Sequence, residues 1–152
     1  MSDQPQGDAQ QPQLGVIVQY LKDLSFESPT APKSLVPSET RPEIEVGVDV
    51  QARQMGAAEY EVELSINATA KRGEEVSFVV ECVYAGLFSL RNLPHEMLEP
   101  VLLVECPRIL FPFARRIVAD ASRDGGFPPL MLDPVDFVAL YQRNRSRPRA
   151  DA

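Results

Sequence analysis

The chain is 152 residues long, 44% hydrophobic and 24% charged, with a formal net charge of -7. That length suits one domain burying roughly 70% of the surface its unfolded chain exposes, and the apolar share excludes wholesale disorder. No run approaches the ~20 apolar residues of a membrane span, and the polar, acidic Met1–Gln13 segment lacks the basic and apolar regions of a signal peptide, so a cytoplasmic protein without membrane insertion is expected.

Residues 1–13, rich in Gln, Asp and Pro, read as a disordered leader ahead of a domain spanning 14–142. An apolar-leaning segment from Leu14 to Phe26 suggests a first strand, ended by Ser28-Pro29-Thr30-Ala31-Pro32, with loop up to Pro42. In Glu43–Val50 the residues Ile44, Val46, Val48 and Val50 alternate with Glu43, Glu45, Gly47 and Asp49. In Glu59–Ala68 the residues Tyr60, Val62, Leu64, Ile66 and Ala68 alternate with Glu59, Glu61, Glu63, Ser65 and Asn67. Such a period of two marks half-buried strands. Arg53–Ala57 reads as a hairpin connection, and Lys71-Arg72-Gly73-Glu74 turns the chain into a third run, with Val76, Phe78, Val80, Cys82 and Tyr84 on one face. Short connections predict an antiparallel meander.

After Gly86 the pattern changes. Pro94–Glu105 carries apolar residues at helical spacing, and Ile109–Ser122 continues it. Pro107 and Pro112 each remove a backbone donor, which predicts a break or kink there. Asp133-Pro134 has the form of a helix start, with Val135–Gln142 as the short amphipathic helix behind it. The predicted fold is α+β, a four-stranded antiparallel sheet with two helices packed on one face.

Residues 142–152 carry four arginines and one aspartate, leaving 11 basic against 21 acidic residues in 1–141, a charge of -10. A body that acidic repels nucleic acid and suits a basic protein partner. The arginine-rich 143–152 segment is read as a flexible, solvated tail, with RNA or lipid contact as the alternative. Cys82 and Cys106 lie in apolar surroundings and are read as buried free thiols. His95 is the only histidine, and no nucleophile–base pair, zinc spacing or phosphate loop can be built around these residues. The reading is a binding protein, not an enzyme, with no metal and no cofactor.

Two surfaces stand out. The polar parity gathers Glu43, Glu45, Asp49, Glu59, Glu61, Glu63 and Glu81 on one open sheet face, where neighbouring like charges cost stability unless a basic partner meets them. The inward parity together with the Pro94–Ala121 region carries more apolar surface than a small sheet easily covers, which suggests oligomerisation or a groove for extended apolar chains. Phe88, Leu90, Phe127, Leu130, Phe137 and Tyr141 fall in loops and the last helix, as core or as groove lining.

The segment Glu105-Cys106-Pro107-Arg108-Ile109-Leu110-Phe111-Pro112-Phe113-Ala114-Arg115 resembles a motif of the SecB-type export chaperones, the bacterial holdases that keep precursors unfolded before secretion. Lys22 to Pro32, Tyr84 to Phe88, Gly126 to Leu130 and Asp133 to Phe137 match in the same order, so the resemblance spans about residues 14–142. It implies a homotetramer arranged as a dimer of dimers, with ATP-independent capture of unfolded secretory precursors and delivery to the SecA ATPase. The positions it implies for SecA are Asp23, Glu27, Val79 and Glu81; Val79 and Glu81 also fall on the open face by parity. For assembly it implies Val80, Cys82 and Tyr84. For clients it implies Ile44, Val46 and Val48, with Phe137, Leu140 and Tyr141 of the last helix near the loop at Phe88. SecB-like holdases acting outside secretion, for example in toxin–antitoxin control, are the alternative; Asp23, Glu27 and Glu81 favour SecA coupling. The arginine-rich end departs from the acidic tail of some members.

Overall fold

The computed structural model describes residues 11–146, so most of the expected leader and the end of the arginine tail lie outside the described residues. Four strands, β1 (Gln13–Glu27), β2 (Glu43–Gln54), β3 (Glu59–Arg72) and β4 (Glu75–Arg91), form one sheet in the order β1-β4-β3-β2. All three pairings are antiparallel, which leaves β1 and β2 as the two edges.

The period-two patterns set the register. Val46 faces Ala68, which faces Val80, and Val48, Ile66 and Cys82 form the next inward row. β4 continues past Gly86 to Arg91, so Phe88 and Leu90 are strand residues and not loop residues as the sequence suggested. Gly86 interrupts the apolar alternation because a Cβ there would press on the Phe88 ring and, at 3.1 Å, on Leu110 of the covering helix. The missing side chain lets helix and sheet approach.

That cover is one helical run with three parts: α1 (His95–Pro100), a π turn over Val101–Glu105, and α2 (Cys106–Asp124). The run is not broken at its prolines. Pro107 lies in the first turn of α2, where a missing donor costs little. Just before it the backbone widens, and the Cys106 N–H bonds to the Val101 carbonyl, five residues back. A π turn of this kind absorbs a local mismatch without ending the helix. Pro112 sits on the exposed side of α2, while Leu110, Ala114 and Val118 press fully buried onto the sheet.

The last helix, α3 (Phe137–Ser146), starts later than Asp133-Pro134 predicted. Residues 133–136 are irregular, and the Ala139 N–H donates to Asp136 Oδ1 at 3.1 Å, so Asp136 supplies the cap. The helix carries Arg143 and Arg145, which the sequence reading left to the tail. Among the described residues no helix is long and apolar enough to cross a membrane.

Candidate functional site

An apolar concavity runs along the inner side of edge strand β2. Ile44, Val46 and Val48 form one wall, and the extended segment Leu130–Asp133 with Val135 forms the other, around a cavity of about 270 Å³. Towards the start of β2 it continues into a second cavity of about 260 Å³, lined by Ile44, Phe78, Phe127 and Pro128 to Met131. Phe127 packs its ring, tilted, against Phe78 (ring centroids 4.8 Å) and Phe26 (6.4 Å), which holds the loop over the sheet. Gly125 makes this possible, since any Cβ there would run into the Phe26 ring. Beyond Val50 and Ala52, at the other end of β2, a third cavity of about 610 Å³ opens against His95, Leu98, Glu99 and Leu102. Apolar side chains thus line most of one edge strand. Ile44 and Val46 remain 42% and 47% exposed, and Met131 57%.

The expected client positions divide on this geometry. Ile44, Val46 and Val48 lie in the groove. Phe88, Phe137 and Leu140 do not: they are 0%, 2% and 7% exposed, packed in the chain's own core, with Phe137 edge-on to Phe111 at 6.1 Å. Tyr141 is half-buried on α3, donating to Glu99 Oε1 at 3.2 Å. The opposite wall was half legible: Phe127 and Leu130 stood out as loop apolar residues. Met131 was missed; its signal was an apolar triplet, Leu130-Met131-Leu132, directly after two prolines that bar a helix.

The expected assembly positions divide similarly. Val80 and Cys82 are fully buried beneath the helices, so neither side chain offers surface to a second copy. Tyr84 is half-buried and stacks on Phe113 at 5.9 Å, and Phe113 is itself exposed. The strand expected over Leu14 to Phe26 is present as the edge strand β1, but its apolar surface was not singled out: Leu14, Val16, Ile17, Val18, Leu21 and Leu24 are all exposed large apolar residues. Burial raises both thiols, Cys82 to about 11 and Cys106 to about 12, so neither is reactive near neutral pH.

The outer face of the sheet carries the acids, though not as one uniform surface. Glu61 is only 6% exposed. Tyr20 donates to it, Lys22 reaches it at 3.1 Å, and Arg53 Nη2 at 2.7 Å. Lys22 also pairs with Glu63. Hydrogen bonding from Tyr20 holds the Glu61 carboxyl down at about 2 against the opposing effect of burial, with Lys22 and Arg53 adding to it. Burial and the bond to Glu61 raise Tyr20 in turn. Away from this clamp, the register sets Ser25 opposite Glu81 and Glu27 opposite Val79, so Asp23 and Glu27 flank Glu81 diagonally on the same face. Among the described residues none of these three acids has a basic group within 4 Å. Asp23, Glu27, Val79 and Glu81 therefore come together as one patch.

An outward acidic patch on one side of a sheet, and an apolar groove on the other beside a free strand edge, define a polypeptide-binding module. Residues 7–148 match the family model described as "Preprotein translocase subunit SecB". The chain is 56% identical over 144 residues to the protein-export protein SecB of Maricaulis maris (strain MCS10), covering 95% of this chain and 84% of that one. It is 56% identical over 136 residues to that of Rhodopseudomonas palustris (strain TIE-1), covering 90% and 87%. In fold it is similar to the SecB-like chaperone of Mycobacterium tuberculosis solved with a peptide of the HigA1 antitoxin, at a TM-score of 0.67 and 16% identity over 80% of this chain and 90% of that one. The chain belongs to the SecB family of protein-export chaperones.

Proposed function

We propose that this chain is a cytosolic, nucleotide-independent holdase that seats unfolded secretory precursors along β2 and passes them to SecA through the patch at Asp23, Glu27, Val79 and Glu81. The observation that carries the reading is the groove, in which half-exposed Ile44 and Val46 face the Leu130–Leu132 wall beside an edge strand with free backbone groups. An extended chain gains ladder hydrogen bonds from such an edge and apolar contacts from alternate side chains. Folded proteins present neither, which selects for unfolded clients. Clients bound over several subunits gain avidity without sequence specificity.

The working unit is a dimer of dimers. Support comes from β1, an edge strand with six exposed large apolar residues, which in water is an aggregation hazard unless a second copy pairs with it. Tyr84 and Phe113 are a second apolar patch suited to subunit contact. The test is refolding of a slow-folding precursor with and without this protein, in the absence of nucleotide. Stoichiometric arrest relieved by SecA is expected. Arrest that SecA does not relieve would assign the chain to holdases outside secretion, in line with the antitoxin peptide on its structural relative. Absence of arrest refutes the holdase reading.

A further inference from the structure

We propose that the pocket beneath the β1–β2 connection is an oxyanion site. A cavity of about 460 Å³ opens there, between residues 30–40 and the turn joining β3 to β4. Its lining includes Thr30, Lys33, Ser34, Arg72 and Glu75, two cations against one acid in a chain whose net charge is -7. Lys33 and Glu75 neutralise each other at 3.0 Å on the exposed rim. Arg72 is different. The residue is half-buried, and among the described residues no carboxylate lies within 4 Å of its guanidinium. Nη1 donates to the Val36 carbonyl at 3.2 Å, which fixes the plane of the group. Nε, also buried, has no partner among the described residues.

Ser34 supplies the second, independent observation. It is 7% exposed, lines the same cavity, and its hydroxyl has no hydrogen-bond partner among the described residues. Buried polar atoms without partners are uncommon and costly, and here two of them belong to residues of different elements that line one cavity. A guanidinium with no carboxylate within 4 Å and a hydroxyl without a partner among the described residues, on two residues that line the same cavity, match a carboxylate or a phosphate, to which Arg binds with two parallel hydrogen bonds. Arg72 and Ser77 line both this pocket and the aromatic end of the groove. The anion therefore comes from one of two sources: free inorganic phosphate, or an acidic side chain of a polypeptide already seated along β2. The second source rests on the proposed client groove; the first does not.

The full chain is used in both arms of the test. In the first, thermal unfolding is followed in sodium phosphate and in sodium chloride at equal ionic strength. In the second, fluorescence anisotropy compares two peptides with one apolar core, flanked by Glu or by Gln. A phosphate-specific rise in midpoint of about 1–3 °C identifies the free ion as ligand. A roughly five-fold advantage of the Glu peptide identifies the client carboxylate. Either effect must vanish in Arg72→Gln and weaken in Ser34→Ala; an effect that survives both substitutions overturns the site. Ser34→Ala removes a hydroxyl that has no partner among the described residues, so the free protein is expected to stay as stable as the wild type and to be informative even if Arg72→Gln loosens the loop. Wild-type protein insensitive to phosphate and indifferent to Glu against Gln overturns the proposal. If neither peptide binds, it is the groove reading that fails, and the phosphate arm alone decides the anion site.

Discussion

Replacing Ile44 and Val46 together by serine separates groove from scaffold. Full burial of a Val or Ile side chain contributes roughly 1.5–3 kcal/mol. In the free chain these two are 42% and 47% exposed, which leaves close to one whole side chain of apolar surface for a client to cover. Losing it costs about 1.3–2.7 kcal/mol of client binding, or a rise in Kd of about 10- to 100-fold. Ordering of the client is the same in both proteins and cancels from the comparison. The buried halves of both residues pack on the sheet, so some loss of urea resistance is expected. The affinity is therefore compared at denaturant-free conditions where circular dichroism reports an intact fold. Anisotropy of a labelled apolar peptide gives Kd directly, and the stoichiometry of refolding arrest gives the same answer for a whole precursor. A folded variant whose Kd lies within two-fold of the wild type would refute the assignment of the groove.

The outer face makes its own predictions. Glu81→Lys is expected to weaken SecA binding at least about ten-fold in a titration at low salt while peptide capture persists, because acid and groove lie on opposite sides of the sheet; equal loss of both would sink the separation. Glu61→Gln is expected to cost about 1–3 kcal/mol at pH 7 by urea unfolding at fixed protomer concentration, towards the low end because Lys22 and Arg53 reach in from solvent. The folded carboxyl, at about 2, lies below its ordinary value of 4.5. Its stabilisation is therefore complete above about pH 4.5 and lost as pH falls through about 2, so variant and wild type should converge towards pH 2. A penalty unchanged between pH 7 and pH 2.5 would remove the clamp from the account. Cys82 and Cys106 should react with a thiol reagent at pH 8 on the order of 100-fold more slowly in the native protein than in urea, given thiols raised to about 11 and 12; fast native reaction at either would contradict its burial.

What the sequence revealed depended on whether a pattern was local. Strands β2 and β3 and the first half of β4 were legible because their inward positions are apolar at every second residue, and a period of two leaves only one choice of inward face. The meander, the covering helices and the groove residues Ile44, Val46 and Val48 follow from it. Phe88, Phe137 and Leu140 were harder: an aromatic or leucine side chain looks the same whether it faces a client or the chain's own helices, and only the packing of α2 over Phe88 and of α3 on the core decides. The opposite wall at Leu130–Leu132 has no periodicity, since it is extended chain pinned by Phe127 and not a regular element.

Strand β1 shows where alternation fails, and the failure has consequences for function. Counting by twos from Val16 would put Val18, Tyr20, Lys22, Leu24 and Phe26 on one face. The register shifts between Val16 and Val18 and again between Leu21 and Asp23. Val16 lies opposite the inward Phe88, Val18 opposite the outward Leu87, Leu21 opposite Tyr84, and Asp23 opposite the outward Val83. Each bulge inserts one unpaired residue and reverses the parity behind it. The second has Lys22 as that residue, and it acts twice. It turns Asp23 and Glu27 onto the face that carries Glu81, and it frees the Lys22 amine to pair with Glu61 and Glu63. One irregularity thus divides the acidic face into a half neutralised from within and a half with no basic group within 4 Å among the described residues.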